Sequence, residues 1–175
     1  MKLRTCAVLL LSLLVLSSQV MAFNGQRKGF ILGGGLGAGW LNYQEPGLEF
    51  NKFSPAGNFK IGYAPSNSLE IYFTDNVHQF NYGGSSFAIG VGGVGVTKYL
   101  NPKGTGFFVF GGAGIGLFMV LESGGGSENG LGLIGGIGFD IAKHWNIQGD
   151  VLYTSIASGA IKSLSVRATI NFLAF

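Results

Sequence analysis

Between residues 164 and 172 apolar and polar side chains alternate without a break. Leu164, Val166, Ala168, Ile170 and Phe172 fall on one side of an extended chain, and Ser165, Arg167, Thr169 and Asn171 on the other. Successive side chains of a strand point to opposite faces, so this is a strand with one greasy and one wet surface. Reading towards the N-terminus, the same period of two returns at 145–154, 131–141, 107–120, 87–99, 69–77, 53–63 and 30–41. Eight strands are therefore predicted, and a sheet of that length with one continuous apolar face must bury it against something.

The connections alternate in length. Three are tight and rich in turn formers, at 65–68 (PSNS), 101–105 (NPKGT) and 142–144 (AKH). The others, starting at Asn42, His78, Glu122 and Ser155, are longer. Short turns at one end and longer loops at the other, with an even strand count, are the pattern of an up-and-down transmembrane barrel. A soluble sandwich or lipocalin-like barrel would turn the greasy face inward and leave the opposite face to water. That opposite face carries Gly33, Gly35, Gly37 and Gly39, and small residues suit a cramped lumen better than a solvated exterior. The predicted fold is thus all-β: an eight-stranded antiparallel up-and-down barrel whose apolar face meets lipid.

Composition agrees with a surface that water does not wet. Charged residues make up 11% of the chain and hydrophobic ones 47%, whereas soluble domains carry about 25% charge. Lys2 and Arg4 precede the apolar run 7–16 (AVLLLSLLVL), which leads through Ser17, Ser18 and Gln19 to Val20, Met21 and Ala22. This order of charge, apolar core and small residue predicts a cleavable secretory signal over 1–22 and a barrel domain over 23–175. The run is too short for a spanning helix, which needs about 20 residues. Cys6, the only cysteine, lies within the signal. Without Lys2 and Arg4, nine basic residues face eight acidic ones, which argues against nucleic acid as a partner.

Aromatic residues on the greasy face fall into two belts, the positions expected for rings at the two membrane interfaces. Phe30, Tyr63, Tyr99, Phe107, Phe139, Trp145 and Phe172 lie at the turn end, and Trp40, Phe53, Phe73, Phe87 and Tyr153 at the loop end. In 87–99, Val94 and Val96 fall out of phase with that assignment, which suggests a bulge.

The signal segment, the glycine-rich first strand GFILGGGLGAGWL, the NIQGDVLY strand and the terminal aromatic resemble the small eight-stranded bacterial outer-membrane barrels of the OmpA, OmpX and OmpW type. The resemblance covers essentially the whole mature chain. It implies residence in the outer membrane among phospholipid and lipopolysaccharide, a monomer, and recognition of Phe175 by the outer-membrane insertion machinery. Here Phe172 is in phase with the lipid-facing set and Phe175 is not.

Inside the barrel the same alternation places a few charges. Lys60 and Glu70 flank the turn at 65–68, and Asp150 and Arg167 are equidistant from the middle of the last loop. An unpaired charge in a narrow lumen is costly, so two ion pairs are expected, forming a plug or a polar gate for small solutes. Phe108, Phe110, Phe118 and Ile134 face the lumen beside many glycines. They either fill the space the glycines leave or, as the resemblance to OmpW-type barrels implies, line an apolar pocket for a hydrophobic ligand.

Signals for catalysis are weak. His78 and His144 are the only histidines, and neither has a serine close behind it, as a hydrolase of the lipid A deacylase kind requires. Both are read as interfacial or solvated. No spacing suits a metal, and no cofactor is expected. Gly90, Gly92 and Gly95 match the dinucleotide fingerprint, but no βαβ unit surrounds them. The remaining candidates are Phe50, Phe53, Phe80 and Tyr82 near the loops, suited to headgroup anchoring or to binding a partner at the surface.

Overall fold

The computed structural model describes residues 27–103, 105–122 and 125–175. The proposed signal segment and the mature start near Phe23 lie outside the described residues.

Eight strands run in chain order: β1 (Gly29–Glu45), β2 (Leu48–Ser66), β3 (Leu69–Tyr82), β4 (Ser85–Tyr99), β5 (Phe107–Val120), β6 (Ser127–Ala142), β7 (Trp145–Ile156) and β8 (Ile161–Ala174). Each pairs antiparallel with its neighbours, and β8 pairs with β1, closing the barrel. Followed across the strands, Gly34 opposes Phe59, then Asp75, Gly92, Ile115, Leu131, Ser155 and Lys162, and the row returns to β1 at Gln44. A stagger of ten residues around eight strands inclines them by about 40° and leaves an interior just wide enough for side chains.

Outward-facing residues are apolar through the middle of the wall. Leu36, Val94, Ile115, Leu131, Ile137, Val166 and Ile170 are all exposed in the isolated chain, as a lipid-facing surface requires. Near the turns, Phe30 opposes Tyr63. In the same belt Phe107 and Phe139 meet edge to face at 4.9 Å, and Trp145 and Phe172 at 5.3 Å. Towards the loops, Trp40 and Phe53 pair at 5.3 Å, and Tyr153 faces outward on β7. Phe73 sits between Ile61 and Val94, in mid-wall rather than in a belt.

Two expectations change. The chain at 87–99 has the opposite phase along its whole length: Val94 and Val96 are 58% and 42% exposed, while Tyr99 is 2% exposed. Its pairing with β3 and β5 is unbroken, so no bulge is involved. Tyr99 is therefore not an interface aromatic but a lumen residue, and Phe87 also turns inward, against Phe80 and Phe118. The physical cause is its hydroxyl: inside the barrel Tyr99 donates to the Glu70 carboxylate at 2.9 Å.

The long loops also prove to be mostly strand. β1 and β2 continue past Trp40 and Phe53 to a turn at Pro46 and Gly47, where Gly47 has φ +85°, the conformation that Pro–Gly turns use. β3 and β4 meet across Gly83 and Gly84, both at positive φ, a two-residue hairpin apex that glycine favours. These polar ladders, such as Asn42 opposite Asn51, rise beyond the apolar belt and so lack the greasy alternation.

Candidate functional site

Among the described residues chemistry gathers in the lumen, which is built in layers from the turn end upward. Its floor is apolar: Ile31, Ala64, Tyr72, Leu173 and Phe175 form one buried cluster. The Phe175 ring lies 4.9 Å from that of His144, whose Nδ1 lies 2.9 Å from the Leu173 carbonyl. Phe175 thus points inward, out of phase with Phe172.

Just above the floor sits an ionic group. The Lys60 ammonium donates to Glu70 at 3.0 Å, and Tyr99 donates to the other oxygen of the same carboxylate. Lys60 is not directly opposite Glu70; its register partner is Thr74, and the long lysine stem spans the difference. Arg27 pairs with Asp140 at 2.5 Å and lies 4.0 Å from the centre of the Tyr99 ring. Tyr72 accepts from Thr97 at 3.0 Å. A carboxylate as buried as Glu70 is tolerated because both its oxygens have donors.

The middle layer is held by amides and a second ion pair. Asn58 donates to Asn171 at 2.8 Å, and Asn171 to Asn146 at 3.1 Å. Asp150 and Arg167 are direct register partners joined at 2.6 Å, both with fully buried side chains. The rest of the guanidinium donates to Asn76 at 2.9 Å and to the Gly57 carbonyl. Beside this layer lies a void of about 20 Å³, touched by Asn58, Lys60, Asn76, Phe110, Ile134 and Gln148. That is room for about one water molecule.

Above it, His78 is fully buried and shares a 2.8 Å hydrogen bond with Ser54. This corrects the expectation of a solvated loop histidine, because β3 continues four residues beyond it. Its Nε2 has no partner among the described residues, so no acid completes a hydrolase triad there. Thr154 and Ser163 bond at 2.8 Å. The loop end is then closed by rings: Tyr43, Phe50, Phe80, Phe87 and Phe118 form a circuit with centroids 5.0 to 6.1 Å apart. They pack on Leu41, Ile89 and Ile156.

The four residues expected to line an apolar pocket are spread along this axis instead. Phe108 touches Tyr99 near the floor at 5.2 Å, Phe110 packs with Val91, Ile134 and Leu152 in the middle, and Phe118 belongs to the ring circuit. The glycines opposite explain why. A methyl group added at Gly138 or Gly136 would run into the ring tips of Phe108 and Phe110 respectively, so the rings occupy the space that glycine leaves. Sequence reasoning missed Arg27 with Asp140, the Asn58–Asn171–Asn146 chain, and Tyr72 and Tyr99. Alternation marked Asp140 and the asparagines as inward, but not which strands would bring them together. Among the described residues no group of three His, Cys, Asp or Glu is placed to hold a metal.

A closed eight-stranded barrel with a greasy exterior, two aromatic belts and a filled polar interior defines an integral outer-membrane barrel protein. The chain belongs to the outer membrane protein beta-barrel domain family, whose model matches residues 8–172. Its fold is similar to that of Ail, the attachment invasion locus protein of Yersinia pestis, solved in complex with the heparin analogue sucrose octasulfate. That match has TM-score 0.57 and 16% identity, covering 83% of this chain and 99% of that one. Neisserial surface protein A is similar at TM-score 0.58 and 13% identity, covering 83% and 97%. The N-terminal barrel of Pseudomonas aeruginosa OprF is similar at TM-score 0.50 and 10% identity, covering 84% and 100%. No curated protein sequence matches the chain.

Proposed function

We propose that this chain is a non-enzymatic structural barrel of the bacterial outer membrane, delivered by a secretory signal at 1–22 and sealed to solutes. The observation that carries the reading is the filled lumen. A void of about 20 Å³ beside Phe110 and Ile134 is far below the roughly 300 Å³ of the smallest ordinary ligand pockets. Ionic layers and the ring circuit occupy the axis on either side of it. Recognition by the insertion machinery belongs to the same reading. Phe175 is buried in the finished barrel, so any contact with that machinery precedes closure.

The test is transport. Purified protein in planar bilayers and in liposomes is expected to give no stable conductance and no uptake of apolar probes. Stepwise single-channel currents, or saturable uptake of an apolar probe, would sink the reading.

A second reading has one specific observation in its favour. The β1–β2 and β3–β4 hairpins extend past the loop-side belt and present Tyr82, 43% exposed, stacked on Phe50 at 4.7 Å. Such a ring pair on a raised hairpin suits surface binding, a role that the name of Ail, the attachment invasion locus protein, also suggests for a barrel of this shape. Shortening both hairpins by four residues leaves the sealed barrel intact on the first reading and abolishes partner binding on the second.

A further inference from the structure

The lipid-facing wall contains one residue that does not belong in hydrocarbon. On β3 the outward set runs Leu69, Ile71, Phe73, Asp75, Val77, and Asp75 is exposed on the outside of the barrel. Taking about 3.3 Å of rise per residue and a tilt of about 40°, it lies about 12 Å above the turn-side belt and about 9 Å below the loop-side one. That is close to the middle of the membrane. Among the described residues it makes no hydrogen bond or ion pair. Outward cations are remote from it: Lys98 is near the turns and Lys162 near the loops. An ionisable side chain at mid-depth is expensive and marks an interaction by default.

Its surroundings are self-complementary. Asp75 opposes Phe59 on β2 and Gly92 on β4, and one outward step towards the loops the row is Gly57, Val77, Gly90. Because the strands are inclined, Gly57 and Gly92 stand on either side of Asp75 within about 2 Å of one level, Gly57 about 8 Å to the β2 side and Gly92 about 4 Å to the β4 side. A two-fold axis along the membrane normal preserves depth and exchanges left for right. An axis about 2 Å to the β2 side of Asp75 therefore sets Gly57 of one copy against Gly92 of the other. Small residues at a membrane interface let two backbones approach closely, and Asp75 lies about 2 Å from the axis between them, within side-chain reach of its copy. A carboxyl group carrying its proton has one donor and one acceptor, so two facing each other satisfy both.

We infer that the β2–β4 wall is a homodimer interface within the membrane, with the two Asp75 side chains hydrogen-bonded to each other across a two-fold axis. The sealed-lumen reading neither requires nor excludes it, and it replaces the monomer expected from resemblance.

The test uses the absence of cysteine from residues 23–175. Val77 lies about 5 Å above Asp75 and about 2 Å to the other side of the same axis, so Val77→Cys is expected to form a disulfide-linked dimer in phospholipid vesicles under mild oxidation. Ala168→Cys, on the β8 wall, is the control and is expected to stay uncross-linked. Adding Asp75→Leu to Val77→Cys should lower the dimer yield about tenfold, the scale of a pair of hydrogen bonds in lipid. Asp75→Asn, whose amide also has donor and acceptor, should keep it. Heat-modifiable gel mobility shows that each variant is folded. Equal cross-linking at residues 77 and 168, a dimer indifferent to Asp75→Leu, or a Val77→Cys adduct in cells with a different protein in place of itself would each overturn the inference.

Discussion

From the floor to Arg167 the lumen is held by charges and amides, with Phe108 and Phe110 packed among them, whereas above His78 it is filled by stacked rings. The lower part lies within the apolar belt, surrounded by lipid, and every charge there has a named partner: Lys60 with Glu70, Arg27 with Asp140, Arg167 with Asp150. The upper part rises beside Trp40 and Phe53 into the hairpin extensions, where Tyr43, Phe80 and Phe118 need only shape and contact. Directional pairs specify one arrangement and tolerate no missing member; apolar rings in contact lose stability by degrees. The difference teaches that the same cylinder can be packed by two chemistries with different vulnerability to mutation.

The largest effect should come from the directional half. Arg167→Ala strands the buried Asp150 and Asn76 and is expected to cost about 3–5 kcal/mol, measured by urea unfolding in detergent micelles with gel mobility as readout. Arg167→Met combined with Asp150→Leu should recover most of that, because the penalty belongs to the orphaned charge. If the double variant is as unstable as the single one, packing rather than pairing holds this layer.

In the ring circuit, Phe118→Ala is expected to cost about 2–3 kcal/mol, at the low end for an aromatic deletion because Phe118 is only partly buried. A loss equal to that of Arg167→Ala would erase the contrast between the halves. Gly138→Val forces Phe108 to move and should cost about 2 kcal/mol. Phe108→Ala should relieve the part of that cost that comes from its ring, the Ile147 carbonyl remaining close, so a double-mutant cycle is expected to show coupling of about 1 kcal/mol. The smallest change belongs to the outside: Trp145→Ala removes one edge-to-face pair with Phe172, worth about 1 kcal/mol, and leaves both lumen halves unaffected.

Alternation was enough to read the wall where one face is plainly wet. β7 and β8 are legible because Asp150, Arg167, Thr169 and Asn171 share a side that no lipid would accept. β4 was not, because Ile89 and Val91 face the lumen while Val94 and Val96 face lipid, with glycines between them. When both faces are apolar the period survives but its direction is lost, and the two aromatics at its ends pointed to the wrong side. Tyr99 is settled by Glu70, one strand away across a register that local pattern does not encode. Asp75 is the converse case: the run from Leu69 already put it on the greasy face, and only the depth of its row gives that placement meaning. Residues 42–45 and 48–51 read as loop because a ladder standing clear of hydrocarbon has no reason to alternate greasy with wet.

The contacts of Arg167 bear on how the cylinder is assembled. Its guanidinium reaches back to Asp150 on β7 and forward, across the β8–β1 seam, to Asn76 on β3 and the Gly57 carbonyl on β2. An open sheet, with β8 not yet joined to β1, can offer the first of these and not the others. The cation is thus fully compensated only when the seam has been zipped in the correct register. A slip of two residues would keep the greasy side outward yet leave a bare guanidinium facing the wrong neighbours. In this way one interior arginine acts as a proofreader of ring closure.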